Sequence, residues 1–306
     1  MKITTIRGIL VLLAVLSAFI GKGQNLVPNP SFEEFDVCPP STINTITTPR
    51  IRDFIRYWQD PPSSVATGPS SDYSHLCSEN YNSTIVSATG AGHMGIFVRA
   101  GSSEYREYLQ VRLLAPLCNG HTYEVKFKLA DRDYTQFNVD RIGAHFSLNA
   151  VSSPADGFNI NVTPQVTTPA GQFINNENNW REFTMNFVNT GGGEEWLTIG
   201  NFFNNANTNT QNGSGFFGGY IYIDDVSVID ITPSVIISSG VIANASCGVN
   251  DGSITGITVS GGSGSYSYEW LDTDNNIVST NLDLVNVAGG DYRLIVDDAG
   301  CENLAG

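Results

Sequence analysis

Runs in which apolar and polar residues alternate with a period of two recur along this 306-residue chain, and they constrain its fold more than any other feature. "EYREYLQVRLL" (104–114), "HTYEVKFKLA" (121–130), "RIGAHFSLN" (141–149), "WREFTMNFV" (180–188), "EEWLTIGNFF" (194–203) and "GYIYIDDVSV" (219–228) each read as a strand. Gly, Asn, Pro and Ser clusters separate them. Helical periodicity is scarce: only "RIRDFIRYW" (50–58) hints at a short helix, and its Arg and aromatic spacing suits a surface turn equally well. Repeated strands with turn signals between them predict an all-β sandwich.

The run at 219–228 departs from the others. Its aliphatic positions are odd before Asp224 and Asp225 (Ile221, Ile223) and even after them (Val226, Val228). Side chains alternate faces along a strand, so this switch of parity implies either a bulge at the acidic pair or a strand apolar on both faces. In both cases at least one carboxylate sits beside apolar neighbours and needs a cation, a basic side chain or several N–H donors.

The chain opens "MKITTIRGILVLLAVLSAFIGKGQ", with Lys2 and Arg7, an apolar run from Gly8 to Ile20, and small residues at Gly21 and Gly23. This is the order of a secretory signal, expected to be cleaved near Gly23–Gln24, and the run is short for a membrane span. No later segment reaches 18 apolar residues, so no further transmembrane segment is expected. Removing the leader takes away Lys2, Arg7 and Lys22 and moves the formal charge from −15 to −18. An acidic exported protein with so few Lys and Arg has little to offer a phosphate backbone, which argues against nucleic acid as a partner. Solubility accounts for most of the acidity, and divalent cations are its more natural partners.

Five cysteines in an exported chain read as disulfide candidates. Cys38 and Cys77 flank one irregular segment and Cys247 and Cys301 bracket another, so the expected pairs are Cys38–Cys77 and Cys247–Cys301. Each loop of that size would stabilise the fold by about 3 to 4 kcal/mol. Cys118 is left over and reads as a buried free thiol. A boundary is expected near "DITPSVIISSG" (230–240), giving a signal peptide at 1–23, a large domain at 24–232, a linker at 233–240 and a small domain at 241–306. The small one is marginal for a core of its own. The stop at "ENLAG", five residues after a cysteine, looks like a truncation of something longer.

Catalytic patterns are thin. "GAGHMG" (90–95) matches G-x-G-x-x-G by spelling, but "IFVRAG" follows where a nucleotide site needs a helix, so these glycines read as a turn into a strand. His75, His93, His121 and His145 show no zinc spacing. No G-x-S-x-G elbow appears, and no Cys has a catalytic context. Glu33, Glu34, Glu104, Glu107, Glu194 and Glu195 could pair for glycosidase work, yet nothing in their spacing favours it over solvated surface acids.

"NLVPNPSFEEF" (25–35) places Glu33 and Glu34 after a turn-rich entry. If the first and last strands of the sandwich are neighbours, Glu33 converges with Asp224 and Asp225. Three carboxylates together need a counter-charge, and Ca²⁺ supplies one with hard-oxygen coordination, while a salt bridge to an Arg also serves.

These residues resemble known families. "NLVPNPSFEEF" and "GGYIYIDDVSV" look like the opening and closing segments of the galactose-binding-like jelly roll of carbohydrate-binding modules. The resemblance implies a structural calcium held by Glu33 and Asp224, with Asp225 as a second candidate. "NPSFEEFDVCP", "DYSHLC", "REYLQVRLLAPLCNGHTYEVKFKL" and "IGAHFS" resemble an N-terminal domain of exported proteins in gliding bacteria and their relatives, over roughly residues 25–230, and this also supports Cys38–Cys77. The second domain resembles the SprB repeat of gliding-motility surface adhesins through "CGVNDGSI" (247–254), "SGGSGSYSYEW" (260–270) and "AGGDYRLIVDDAGC" (288–301). Ser265 stands where that family usually has Pro, and one repeat is present where arrays are usual. Type IX secretion is implied, although its C-terminal sorting domain is not seen.

The expected fold is therefore all-β, a jelly-roll β-sandwich followed by a small Ig-like β-sandwich repeat. The expected function is that of a secreted, non-catalytic, adhesin-like surface protein, linked to gliding motility or adhesion, whose jelly roll binds a carbohydrate or surface polymer. Sugar binding needs exposed aromatic faces with polar neighbours, and Trp58, Trp180 and Tyr134 are the chosen candidates, with Trp196 also available. The Asn-rich "FFNNANTNTQNGSGFF" (202–217) is either a binding rim or a mobile loop. The alternatives are an accessory module of a secreted hydrolase whose catalytic domain lies beyond residue 306, and a purely structural spacer.

Overall fold

The computed structural model describes residues 23–39, 51–62, 71–78, 83, 85–153, 159–176, 179–215 and 218–298. The leader expected at 1–23 lies almost wholly outside them, as does Cys301. One five-stranded antiparallel sheet has the order β1 (Trp58–Gln59), β4 (Tyr108–Arg112), β10 (Trp196–Gly200), β7 (Gly143–Ser147), β8 (Val166–Thr167). The other has the order β2 (Asp72–His75), β3 (Gly92–Arg99), β12 (Gly219–Asp230), β5 (Thr122–Asp131), β9 (Arg181–Val188). A two-stranded ribbon, β6 (Phe137–Val139) with β11 (Thr210–Asn212), accompanies them. All six alternating runs are strands. The 50–58 stretch yields a single 3-10 turn, Ile51–Asp53. In "GAGHMG" only Gly90, at φ +61, and Ala91 belong to the turn, and residues 92–95 begin β3.

The alternation sets the core. Met94, Ile96 and Val98 of β3, Val125, Phe127 and Leu129 of β5, and Ile221 and Ile223 of β12 are buried against Leu109 and Val111 of β4, Leu197 and Ile199 of β10, and Ala144 and Phe146 of β7. Two sheets packed through one such apolar layer make the expected sandwich.

The bulge expected at the acidic pair is present. The β12–β5 register shifts between Asp224 and Ser227, and Asp225 sits at φ +51. Val226 and Val228 thereby return to the core. The bulge also marks a change of partner. Residues 219–223 of β12 pair with β3, whereas beyond the bulge the chain's opening takes over. Val226 N–H donates to Pro30 O (2.9 Å), Leu26 N–H to Val228 O (2.8 Å), and the Asn25 side chain bonds Val226 O and Val228 N–H (3.0 Å each). The first and last segments of the sandwich are thus neighbours.

Cys38 and Cys77 form the expected disulfide, with Cα atoms 6.0 Å apart. The other cysteine expectations fail. Cys247 carries an exposed free thiol, so it is not bridged to Cys301. Cys118 is disulfide-bonded, not a free thiol.

A second, smaller core follows. Its strands form three sheets: β13 (Ile236–Ile237) with β16 (Val259–Ser260); β14 (Val241–Ala243), β15 (Gly252–Thr255) and β19 (Leu284–Val287); and β18 (Ile277–Ser279), β17 (Tyr266–Leu271) and β20 (Arg293–Asp298). Ile254, Ile257, Leu284 and Leu294 close around Trp270, whose indole N–H donates to Leu282 O (3.2 Å).

Candidate functional site

Glu33, Asp224 and Asp225 each bond to the stretch 88–92, where a loop leads into β3, without forming one cluster. Asp224 is fully buried. Its Oδ2 accepts the Ala88 and Thr89 N–H groups (2.8 and 3.2 Å) and its Oδ1 accepts Asp225 N–H (2.8 Å). Glu33 Oε1 accepts the Ala91 and Gly92 N–H groups (both 2.8 Å). Asp225 Oδ2 is paired with Lys128 Nζ at 2.8 Å, and its Oδ1 accepts the Thr89 hydroxyl. Gly90, between the two N–H pairs, leaves room for the Glu33 carboxylate, which a Cβ would strike. Burial and then the Asp225 charge push the Asp224 carboxyl up to about 7, against the pull of its three N–H donors.

This donor set is that of an anion cradle. N–H groups hold Asp224 and Glu33 Oε1, an ammonium holds Asp225, and no group of three or more His, Cys, Asp or Glu gathers for a metal among the described residues. The basic partner is Lys128, on the neighbouring strand.

Of the expected aromatic platforms, Trp58 is excluded. It is 1% exposed, packs on Phe32 with ring centroids 5.0 Å apart, and donates its indole N–H to Asn29 O (3.0 Å). Trp180 is half-buried on the outer face of the β2–β9 sheet, edge-on to His93 (5.9 Å), its N–H held by Val86 O (2.8 Å). Trp196 is half-buried in β10 beside Arg112 of β4.

Tyr134 is 68% exposed, at the tip of the turn between β5 and β6, with φ +63. A left-handed aromatic residue is costly and persists only where its surroundings impose it. "QNGSG" (211–215) does so. Gly215 N–H donates to Thr135 O and Gly213 N–H to Gln136 O (2.9 Å each). A Cβ on Gly215 would overlap the Tyr134 carbonyl, and one on Gly213 the Thr135 carbonyl. Two glycines therefore let one backbone lie against the other and fix the turn. Gln211 and Asn212 of β11 stand exposed on the same ribbon.

The described part of the Asn-rich segment is a held loop. Thr208 N–H closes a turn on Asn204 O (3.0 Å). Asn205 Oδ1 accepts Arg106 Nη2 (2.7 Å), Asn209 Nδ2 donates to Asp140 Oδ2 (2.8 Å), and Asn175 Nδ2 donates to Gln211 Oε1 (3.0 Å). These bonds tie the segment to the elements around it, and only Gln211 and Asn212 stand on the ribbon that fixes the Tyr134 turn.

Also buried are two acids: Glu107, one of the six acids expected at the surface, and Asp72, which no sequence pattern marks. Tyr220 O–H donates to Asp72 Oδ2 (2.5 Å), while Tyr105 O–H and Phe97 N–H donate to the two oxygens of Glu107 (2.7 and 2.8 Å). Burial pushes Asp72 up to about 7 against the Tyr220 hydrogen bond, and burial with the Asp72 charge raises Glu107 well above the carboxylate range.

The fold is that of an all-β protein with two hydrophobic cores and an exposed tyrosine, Tyr134, on a fixed turn. Residues 239–275 match the family model described as the SprB repeat, so the second module is similar to that family. No curated protein matches the chain closely enough to count as a relative. Among solved structures, the chain is similar to the K1 cleaved adhesin domain of Lys-gingipain from Porphyromonas gingivalis W83, at 13% identity over 68% of this chain and 99% of that one, with a TM-score of 0.36. It is also similar to a Stig cyclase, Fisc, from Fischerella sp. TAU (14%, 67% and 95%, 0.39). A structure described as a CBM4 is similar at 16% over 67% and 99%, with a score of 0.29. Likeness at this level carries no functional argument.

Proposed function

We propose that the chain is an exported, non-catalytic, adhesin-like protein whose large β-sandwich binds a glycan or another surface polymer at the Tyr134 rim. Tyr134 carries this reading: an exposed aromatic ring on a strained, glycine-locked turn, with the exposed amides Gln211 and Asn212 on the adjoining ribbon, is a platform for a sugar face. The SprB match at 239–275 supports placement at the cell surface. Export by the type IX route and a link to gliding motility rest on the resemblance of the second module. A glycan array probed with the chain tests the reading. The expected result is retention of a restricted set of polysaccharides by the wild type and their loss in Tyr134→Ala, and the reading fails if the wild type retains none.

A further inference from the structure

The two modules meet on one imidazole. His121, immediately before β5, is buried with Nδ1 2.7 Å from Asp230 Oδ2, at the end of β12, and Nε2 3.1 Å from Asp298 Oδ2, at the end of β20. A neutral imidazole has one N–H and one lone pair, so only the doubly protonated ring can donate to both carboxylates. The parts around it are in place. Ser263 N–H and hydroxyl donate to Asp298, Thr232 N–H donates to Asp230 Oδ1 (2.9 Å), and Gly262 N–H of the second module donates to Pro233 O (2.8 Å). Gly120 lies against Ser263, with room for no Cβ. Tyr123 stacks on the ring with centroids 6.5 Å apart. Glu194 stands one step behind, on Asn189 Nδ2 (2.8 Å), and Asn189 N–H donates to His121 O (2.8 Å).

We propose that this contact is a pH-gated joint: the His121 imidazolium docks the second module onto the sandwich, and loss of its proton sets a lone pair against a carboxylate and releases the contact. Burial opposes the charge, but the hydrogen bonds and attraction of Asp230, then Asp298, outweigh it and raise the ring above the usual histidine range. His75, His93 and His145 are all lowered, burial being the leading cause in each. A raised histidine stabilises the docked state fully below its unfolded pKa of about 6.5, and that stability is lost as pH rises through the folded value. The joint is closed in acid and opens on the alkaline side, independently of what the distal rim binds.

NMR of the full chain between pH 5 and 10 tests this. The readouts are ring ionisation and amide protection at the joint. The resonance lost in His121→Gln is expected to titrate above the other three histidines and to fall in Asp298→Asn. Exchange of Gly262 N–H, corrected for base catalysis, is expected to quicken about tenfold through the same midpoint, and that midpoint disappears in His121→Gln, which keeps a donor without titrating. Equal protection of Gly262 at pH 6 and pH 9, or a His121 midpoint unmoved by Asp298→Asn, overturns the proposal.

Discussion

Lys128 Nζ stands 2.8 Å from Asp225 Oδ2, so the cation that answers the acidic doublet of the last strand comes from the adjacent strand β5. Asp224, turned the other way by the bulge, is answered by backbone N–H groups. The two neighbours therefore differ sharply in what they hold. Asp224→Ala strands three N–H donors and is expected to cost about 3 kcal/mol in urea unfolding. Lys128→Ala breaks a partly exposed pair and is expected to cost about 1 kcal/mol or less. Equal costs would contradict this division.

The same cradle bears on calcium. With Asp224 held by three N–H donors and Asp225 by Lys128, the melting temperature is expected to be the same in millimolar Ca²⁺ and in EDTA after prolonged chelation. A rise with Ca²⁺ that Asp224→Ala abolishes would show that the loop rearranges around an ion.

Asp72 gives a pH dependence. Its carboxyl is pushed up to about 7 by burial, so the folded chain keeps a proton that the unfolded chain releases above about 4. Folding then binds more protons than unfolding over that window, and stability falls as pH climbs from about 4 to about 7. In Asp72→Asn the Tyr220 hydroxyl still finds an amide oxygen, and the fall in urea midpoint over that window is expected to shrink. An unchanged slope would contradict the assignment.

Gly215→Ala is expected to damage the rim from a distance. Its Cβ meets the Tyr134 carbonyl, so the turn must move, with a loss of about 1 to 3 kcal/mol and of polymer binding together. Unchanged stability and unchanged binding would show that the turn is not locked.

Much of this was legible in the sequence where periodicity had length to act. The six long alternating runs are strands, and the parity switch at Asp224–Asp225 located the bulge, because a core can be faced again only by inserting a residue. The adjacency of "NLVPNPSFEEF" to the last strand and the Cys38–Cys77 pair were also readable. The partners of the carboxylates were not: Lys128 lies 97 residues from Asp225 in sequence, and backbone N–H groups of a loop leave no residue signature. Trp58 belongs to a two-residue strand, too short to reveal which face is buried. Glu107 reads as a surface acid until the chain is seen to enter β4 beside Phe97, and the bonding of Cys118 depends on tertiary proximity alone. The lock on Tyr134 did have a signal, the spaced glycines of "QNGSG".

The central claim is that Tyr134 is the platform of a polymer-binding rim. For a polysaccharide retained by the wild type, isothermal titration is expected to show affinity about tenfold weaker in Tyr134→Ala, equivalent to about 1.4 kcal/mol. The melting temperature should stay unchanged, because the ring is mostly in water. Unchanged affinity in Tyr134→Ala would contradict the account.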